Sequence, residues 1–124
     1  MRFAHTILAA LILAGCQTTA DSPTGALLTP EQIKTEWSGR PLTATSMNSG
    51  NSFSVTFKAD GTSALSNAAG FQDTGTWRLS ETGYCTVWRT IRNGAEECFT
   101  VRKSGSGYWI YKLNGTLDNK AFPS

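Results

Sequence analysis

Ser52-Phe53-Ser54-Val55-Thr56-Phe57-Lys58 alternates without a fault, placing Phe53, Val55 and Phe57 on one face and Ser54, Thr56 and Lys58 on the other. That period of two is the mark of a strand packed on one side and wet on the other, as in antiparallel sheets. Turn chemistry bounds it: Asn48-Ser49-Gly50-Asn51 before, Ala59-Asp60-Gly61 after. Working outward, the same rhythm recurs. Leu42 to Met47 precedes it; Thr62 to Ser66, Asp73 to Leu79, Tyr84 to Ile91, Glu96 to Lys103 and Tyr108 to Leu113 follow. Asn67 to Gly70, Asn93-Gly94 and Ser104-Gly105-Ser106-Gly107 separate them, and Asn114-Gly115 permits a short last strand at Thr116 to Asp118. Turns spaced by about 8 to 12 residues predict antiparallel strands in sequence order. About seven or eight such strands would leave sticky edges in an open sheet, so the expected fold is mainly β, a small up-and-down barrel or half-barrel.

One helix is signalled ahead of the strands. In Leu28-Thr29-Pro30-Glu31-Gln32-Ile33, Thr29 is the N-cap, Pro30 the first helical residue and Gln32 the reciprocal partner of a capping box. Ile33 and Trp37 share a face, and Gly39 follows as a stop. Two turns are marginal alone, so this helix must cover an end or edge of the sheet.

The amino terminus has a different character. Residues 1–15 carry Arg2, an apolar run from Ile7 to Ala14 and small residues before Cys16, the layout of a secretory signal peptide. Leu13-Ala14-Gly15-Cys16 resembles the bacterial lipoprotein signal, which implies that Cys16 is acylated (diacylglyceryl, with palmitate-type chains) and becomes the first mature residue. Two or more chains anchor stably where one does not. The resemblance implies a lipoprotein of the bacterial cell envelope, held at the membrane by its lipid. Gln17 rather than Asp after the cysteine implies the outer membrane, with the domain in the periplasm. Polar residues from Gln17 onward read as a tether, giving the division 1–15 signal peptide, 16–27 tether and 28–124 a single β domain. No later segment approaches the roughly 20 apolar residues of a membrane span.

Composition excludes several functions. Only Arg2, of 11 basic and 9 acidic residues, lies in the leader, so the mature chain has a net charge near +1 and no polybasic run. Nucleic acid is therefore not an expected partner. The single histidine, His5, also lies in the leader. A histidine base, a Ser-His or Cys-His nucleophile and a histidine metal site are then out of reach, so no catalytic residue, metal or other cofactor is expected and the protein reads as non-enzymatic.

With Cys16 consumed by lipid, Cys85 and Cys98 remain in an oxidising compartment and predict a disulfide. A closed loop of that length is worth about 3 kcal/mol in the loop-entropy picture. A tight turn at Asn93-Gly94 would set Cys98 opposite Arg89, whereas direct pairing of the cysteines needs a longer loop around Thr90 to Asn93; the disulfide takes precedence. If Tyr84, Trp88, Phe99 and Val101 face inward, both cysteines face out beside Arg89 and Arg102, as a reducible surface staple next to a small basic patch. Glu96 and Glu97, adjacent on a strand, project to opposite faces and cannot form a catalytic pair.

Two further sets invite a binding role. Trp37, Trp77, Trp88 and Trp109 with Phe53, Phe57, Phe99, Tyr84, Tyr108 and Tyr111 either fill a small barrel, the expected outcome, or line a ligand cavity. Arg78, Arg89, Arg92, Arg102 and Lys103 form either a solvated basic face, again the expected outcome, or a site for an anionic envelope polymer or protein.

Two family resemblances accompany these readings. Phe57, Asp60-Gly61-Thr62, Gly75-Thr76-Trp77, Cys85, Trp88 and Cys98-Phe99-Thr100-Val101 resemble a family of small exported bacterial proteins of unknown function, over about residues 40 to 115. Ser104-Gly105-Ser106-Gly107-Tyr108 is similar to the Ser-Gly-x-x-Tyr motif of periplasmic lysozyme inhibitors, implying that Ser104 and Tyr108 insert into an enzyme. Their second motif, Tyr-x-x-x-Thr-Lys-Gly, is replaced here by Tyr111-Lys112-Leu113-Asn114-Gly115. The expected function is thus a non-enzymatic envelope lipoprotein that binds an unidentified envelope component or protein, with lysozyme inhibition or carriage of a small apolar ligand as alternatives.

Overall fold

A computed structural model describes residues 25–124; the leader, Cys16 and the tether up to residue 24 lie outside the described residues. Helix α1 (Pro30–Trp37) is followed by strands β1 (Pro41–Ser46), β2 (Ser52–Phe57), β3 (Thr62–Ser66), β4 (Gln72–Leu79), β5 (Tyr84–Trp88), β6 (Glu97–Ser104), β7 (Gly107–Lys112) and β8 (Leu117–Pro123). Each strand pairs antiparallel with the next, and β8 returns to pair with β1, closing an eight-stranded up-and-down barrel. Closure removes the two open edges that the strand count threatened. Among the described residues no helix is long and apolar enough to cross a membrane.

Register fixes what faces inward. Leu42 opposes Val55, Val55 opposes Leu65, Leu65 opposes Asp73, Gly75 opposes Trp88, Tyr84 opposes Phe99 and Val101 opposes Ile110. Those residues and their period-two neighbours point into the lumen. β8 is longer than Thr116 to Asp118, because Asn119 and Ala121 pair with β7 on one side while Asn119 to Pro123 pair with β1 on the other. β5 is shorter than expected: it stops at Trp88, and a one-turn 3-10 segment (Ile91–Gly94) intervenes before β6. Cys85 and Cys98 are direct register partners, so the long loop rather than the tight Asn93-Gly94 turn is the one formed.

The helix plugs one end of this barrel. Its capping box is complete: Gln32 N–H donates to Thr29 Oγ1 at 3.2 Å, and Thr29 N–H donates to Gln32 Oε1 at 2.9 Å. Ile33 and Trp37 are wholly buried. The Trp37 ring stacks on Phe57 with centroids 5.4 Å apart and meets Tyr84 and Tyr108 edge-on at 5.0 and 5.3 Å. Such contacts add roughly 0.5–1.5 kcal/mol each to what the buried area supplies. Ahead of the helix, the last tether residues are not free of the domain. Gly25 N–H donates to Lys103 O and Leu28 N–H to Val101 O, so residues 25–28 run beside the end of β6 that the short β5 leaves bare. Among the described residues, 25–28 are therefore part of the barrel's hydrogen-bonded structure.

Candidate functional site

The two ends of the barrel differ. At the plugged end, Leu28, Ile33, Trp37, Phe57, Trp77, Tyr84, Phe99, Val101 and Tyr108 pack into a closed core. Toward the other end, where β1, β3, β5 and β7 finish, the lumen opens into a cup of about 760 Å³. The aromatic set is thus divided: Phe57, Tyr84 and Phe99 serve both core and cup floor, while Phe53 and Trp88 line the cup wall. Trp109 takes neither role. It faces outward by parity yet is buried, with the Lys120 ammonium 4.1 Å above its ring.

The cup has two unlike sides. Leu42, Ala44, Phe53, Val55 and Leu65, on β1 to β3, make an apolar wall. Thr86, Glu97, Lys112, Asp118 and Asn119, on β5 to β8, make a polar one, joined by Arg92 from the β5–β6 loop. Met47 and Phe71 lie at the mouth with their side chains partly in solvent, and Leu113 stands exposed in the neighbouring β7–β8 loop.

Arg92 is the residue on which this asymmetry turns. Its backbone is left-handed, with φ 58° and ψ 27°, and Asn93 follows at φ 54°. The loop that carries it is held by Asp73 on β4, the strand paired with β5. One Asp73 oxygen accepts from Thr90 N–H, Thr90 Oγ1 and Ile91 N–H at 3.1, 2.9 and 3.1 Å, and the other accepts from Thr74 N–H. Burial alone would push the Asp73 carboxyl up, but these donors outweigh it and hold the group below its ordinary value. So anchored, Arg92 reaches down into the lumen. Its Nη2 donates to Thr86 O at 3.1 Å and to Thr86 Oγ1 at 2.7 Å, and the guanidinium lies 5.8 Å above the Phe99 ring centre. Nη1 is 3.6 Å from Glu97, whose other oxygen is 4.0 Å from Lys112 Nζ. Nε is buried without any partner among the described residues. Beneath, burial and then the nearby Asp118 charge push the Tyr84 hydroxyl far above its ordinary value, so it stays a neutral donor.

The residues singled out from sequence fall elsewhere. Cys85 and Cys98 form the expected disulfide. They face outward by parity, yet Cys85 has 0 % exposure and Cys98 is only half-exposed. The exposed staple expected from sequence is therefore corrected to a covered bridge. Arg78, opposite Cys85 in the register, donates from Nε and Nη2 to Glu96 at 3.0 and 2.8 Å, and a Glu96 oxygen lies within 4.8 Å of both sulfurs. The expected basic patch is also corrected. Arg89 and Arg102 are both exposed, but Arg89 follows β5 at the open end and Arg102 lies near the plugged end of β6. Ser104 closes the β6–β7 hairpin opposite Gly107. Tyr108 does not project at all: it is 3 % exposed, and its hydroxyl donates to Glu36 Oε1 at 2.7 Å. Lys103 also donates to Glu36, which ties α1 to the barrel.

Glu97 and Glu96 do take opposite faces, one in the cup and one over the disulfide. The sequence places Arg92 in a basic set that is either a solvated face or a site for an anionic polymer or protein, and singles out none of Asp73, Lys112 and Asp118 for a role. The one local signal was Asn93-Gly94, which marks a left-handed turn but not the direction of the arginine before it. The fold and cup together define a closed eight-stranded barrel plugged by a helix at one end and open at the other. Comparison with protein-family models, with curated proteins and with solved structures finds no match.

Proposed function

We propose that this protein is a non-enzymatic binding barrel of the bacterial cell envelope, tethered by an acylated Cys16, that carries a small amphipathic ligand in its cup. The observation that carries this reading is the open, two-sided cavity of about 760 Å³. Its size lies in the range of pockets that enclose drug-sized molecules, and its lining, an apolar wall on β1 to β3 facing a polar one on β5 to β8, suits an amphipathic occupant. A small barrel with no binding role would fill its lumen with side chains, as the plugged end does. The envelope placement rests on the Leu13-Ala14-Gly15-Cys16 signal and on the disulfide, which persists in oxidising compartments. The non-enzymatic part rests on the absence of histidine beyond residue 5.

Two other readings have less support. A partner docking on a basic disulfide face lacks that face, since Arg89 and Arg102 stand at opposite ends. Inhibition of lysozyme through Tyr108 lacks an accessible Tyr108.

Native mass spectrometry of the full chain, extracted from membranes in mild detergent, tests the proposal. The expected spectrum shows an acylated chain lacking residues 1–15, with a small-molecule adduct that is lost on denaturation. A bare barrel that also fails to take up a neutral fluorescent apolar probe would overturn the carrier reading. An unprocessed leader would overturn the anchor.

A further inference from the structure

We infer that the open end of the barrel docks on a lipid bilayer, with its apolar loop tips in the interface and the mouth of the cup toward the membrane. This docking goes beyond the ligand reading of the cup and rests on the acylated Cys16. In an up-and-down barrel successive turns alternate between ends, so the β1–β2, β3–β4, β5–β6 and β7–β8 loops all stand at the open end. Among the described residues five large apolar side chains are left exposed, and three of them occupy these loops: Met47 at 41 %, Phe71 at 43 % and Leu113 at 66 %. The other two, Leu27 and Phe122, lie beside β6 and on the flank of β8. Because β8 pairs with β1 and β2 with β3, the three apolar tips follow one another along one arc of the rim. The remaining β5–β6 loop, which carries the exposed Arg89, lies opposite.

Charge and hydrogen bonding say what covers this arc. Residues 47–51, 67–71 and 113–116 contain no charged side chain. Their backbones are served from within: Ser46 Oγ accepts from the N–H groups of Asn48 and Ser49, Asn67 Oδ1 from those of Ala69 and Phe71, and Asn114 Oδ1 from that of Thr116. Amides satisfied inside a loop lose less on leaving water, which is the condition for entering a bilayer interface. The turns at the plugged end are built for water instead, with Arg40, Lys58, Asp60 and Glu81 all exposed. Uncharged apolar tips with one cation across the rim match hydrocarbon under a layer of phosphate head groups. The tether brings such a surface within reach. Gly25 is fixed to Lys103 near the plugged end, and Cys16 lies nine steps of chain ahead of it, a reach of about 30 Å. Strand β7, six residues long, spans only about 20 Å, so the tether can pass the length of the barrel and let the open end turn to the membrane.

Contact quenching in vesicles tests the inference. The acylated full chain is reconstituted sparsely in vesicles of phosphatidylethanolamine and phosphatidylglycerol, with or without lipids brominated high on their acyl chains. A tryptophan is added on the rim by Leu113→Trp or at the plugged end by Glu81→Trp, and the emission in excess of the wild type is read. The Leu113→Trp excess is expected to fall about twofold in brominated vesicles, since interfacial side chains reach about 5–10 Å into the acyl boundary. The Glu81→Trp excess should not change. Adding Met47→Ser and Phe71→Ser to the Leu113→Trp chain should cut its quenching by about half, because two of the three apolar tips are lost. Quenching at Glu81→Trp instead, or at neither position in a chain whose mass shows acylation, overturns the docking and leaves the anchor standing. Quenching at Leu113→Trp that the two serines do not alter overturns the role of the rim. A Leu113→Trp emission that shifts to the blue only as chains are crowded, with no dependence on bromine, overturns the bilayer in favour of a second copy. An unacylated chain overturns the anchor and the docking with it. The cup is judged apart, by uptake of N-phenyl-1-naphthylamine, a neutral fluorescent probe, and its failure leaves the docking untouched.

Discussion

At the scale of single residues, the disulfide and its cover show how a neighbour sets reactivity. Thiol–disulfide exchange needs a thiolate to reach a sulfur. Cys85 Sγ is out of reach, and Cys98 lies under the Arg78–Glu96 pair. The Glu96 carboxylate adds repulsion, because it sits beside both sulfurs where an anionic attacker must arrive. Arg78 holds Glu96 there and pulls its carboxyl below the ordinary value. Glu96→Ala removes both the lid and the like charge. We expect dithiothreitol to reduce the native variant about tenfold faster than the wild type, read by mass shift after alkylation at neutral pH. An unchanged rate would mean that reduction waits on opening of the whole β5–β6 hairpin. The bridge matters beyond stability, since the loop it closes is the one that carries Arg92.

At the scale of elements, helix α1 is held by apolar burial and by one polar latch, and the latch titrates. Burial pushes the Glu36 carboxyl up, but hydrogen bonds from Lys103 and Tyr108, with the charges of Lys103 and Arg40, bring it below its ordinary 4.5. A carboxyl depressed in the folded state contributes fully above its unfolded value and loses that contribution as pH falls through the folded one. The plug should therefore loosen below about pH 4.5. Glu36→Gln is expected to cost about 1 kcal/mol at pH 7 and to flatten that part of the acid limb, read from urea midpoints at pH 7 and pH 4. An acid limb as steep as the wild type's would show that other carboxylates govern it. The same elements show what a sequence can reveal. Helix α1 was legible because a capping box is a local device, satisfied within four residues. The β5–β6 register was legible because two cysteines can pair in only one way. β8 was obscure, since Asn119 and Ala121 face the lumen while Lys120 and Phe122 face out, and no apolar alternation announces it. Arg92 was obscure for a related reason. Its direction is set by Asp73 and Thr86, which lie on other strands and carry no local signature in Arg92-Asn93-Gly94.

At the scale of the whole molecule, closure and emptiness have to be reconciled. A closed ring of eight short strands encloses little more than its own side chains, unless one end is left unfilled. Here the large residues are spent unevenly: Trp37 from the helix joins Phe57, Trp77, Tyr84 and Tyr108 at one end, and Ala44, Ser46, Thr86 and Asn119 occupy lumen positions toward the other. The plug supplies enough aromatic burial for the far end to stay open. That division predicts opposite responses to one kind of substitution. Enlarging a side chain in a filled core forces neighbours off their rotamers and costs about 1–3 kcal/mol. Leu65 is half-buried on the apolar wall of the cup, with open space before it. Leu65→Trp should therefore leave urea stability within about 0.5 kcal/mol of the wild type, while occupying the volume a ligand needs. Affinity for N-phenyl-1-naphthylamine is expected to fall about tenfold. A variant destabilised by the full overpacking penalty would mean that the wall has collapsed inward in solution, and that the barrel is packed from end to end.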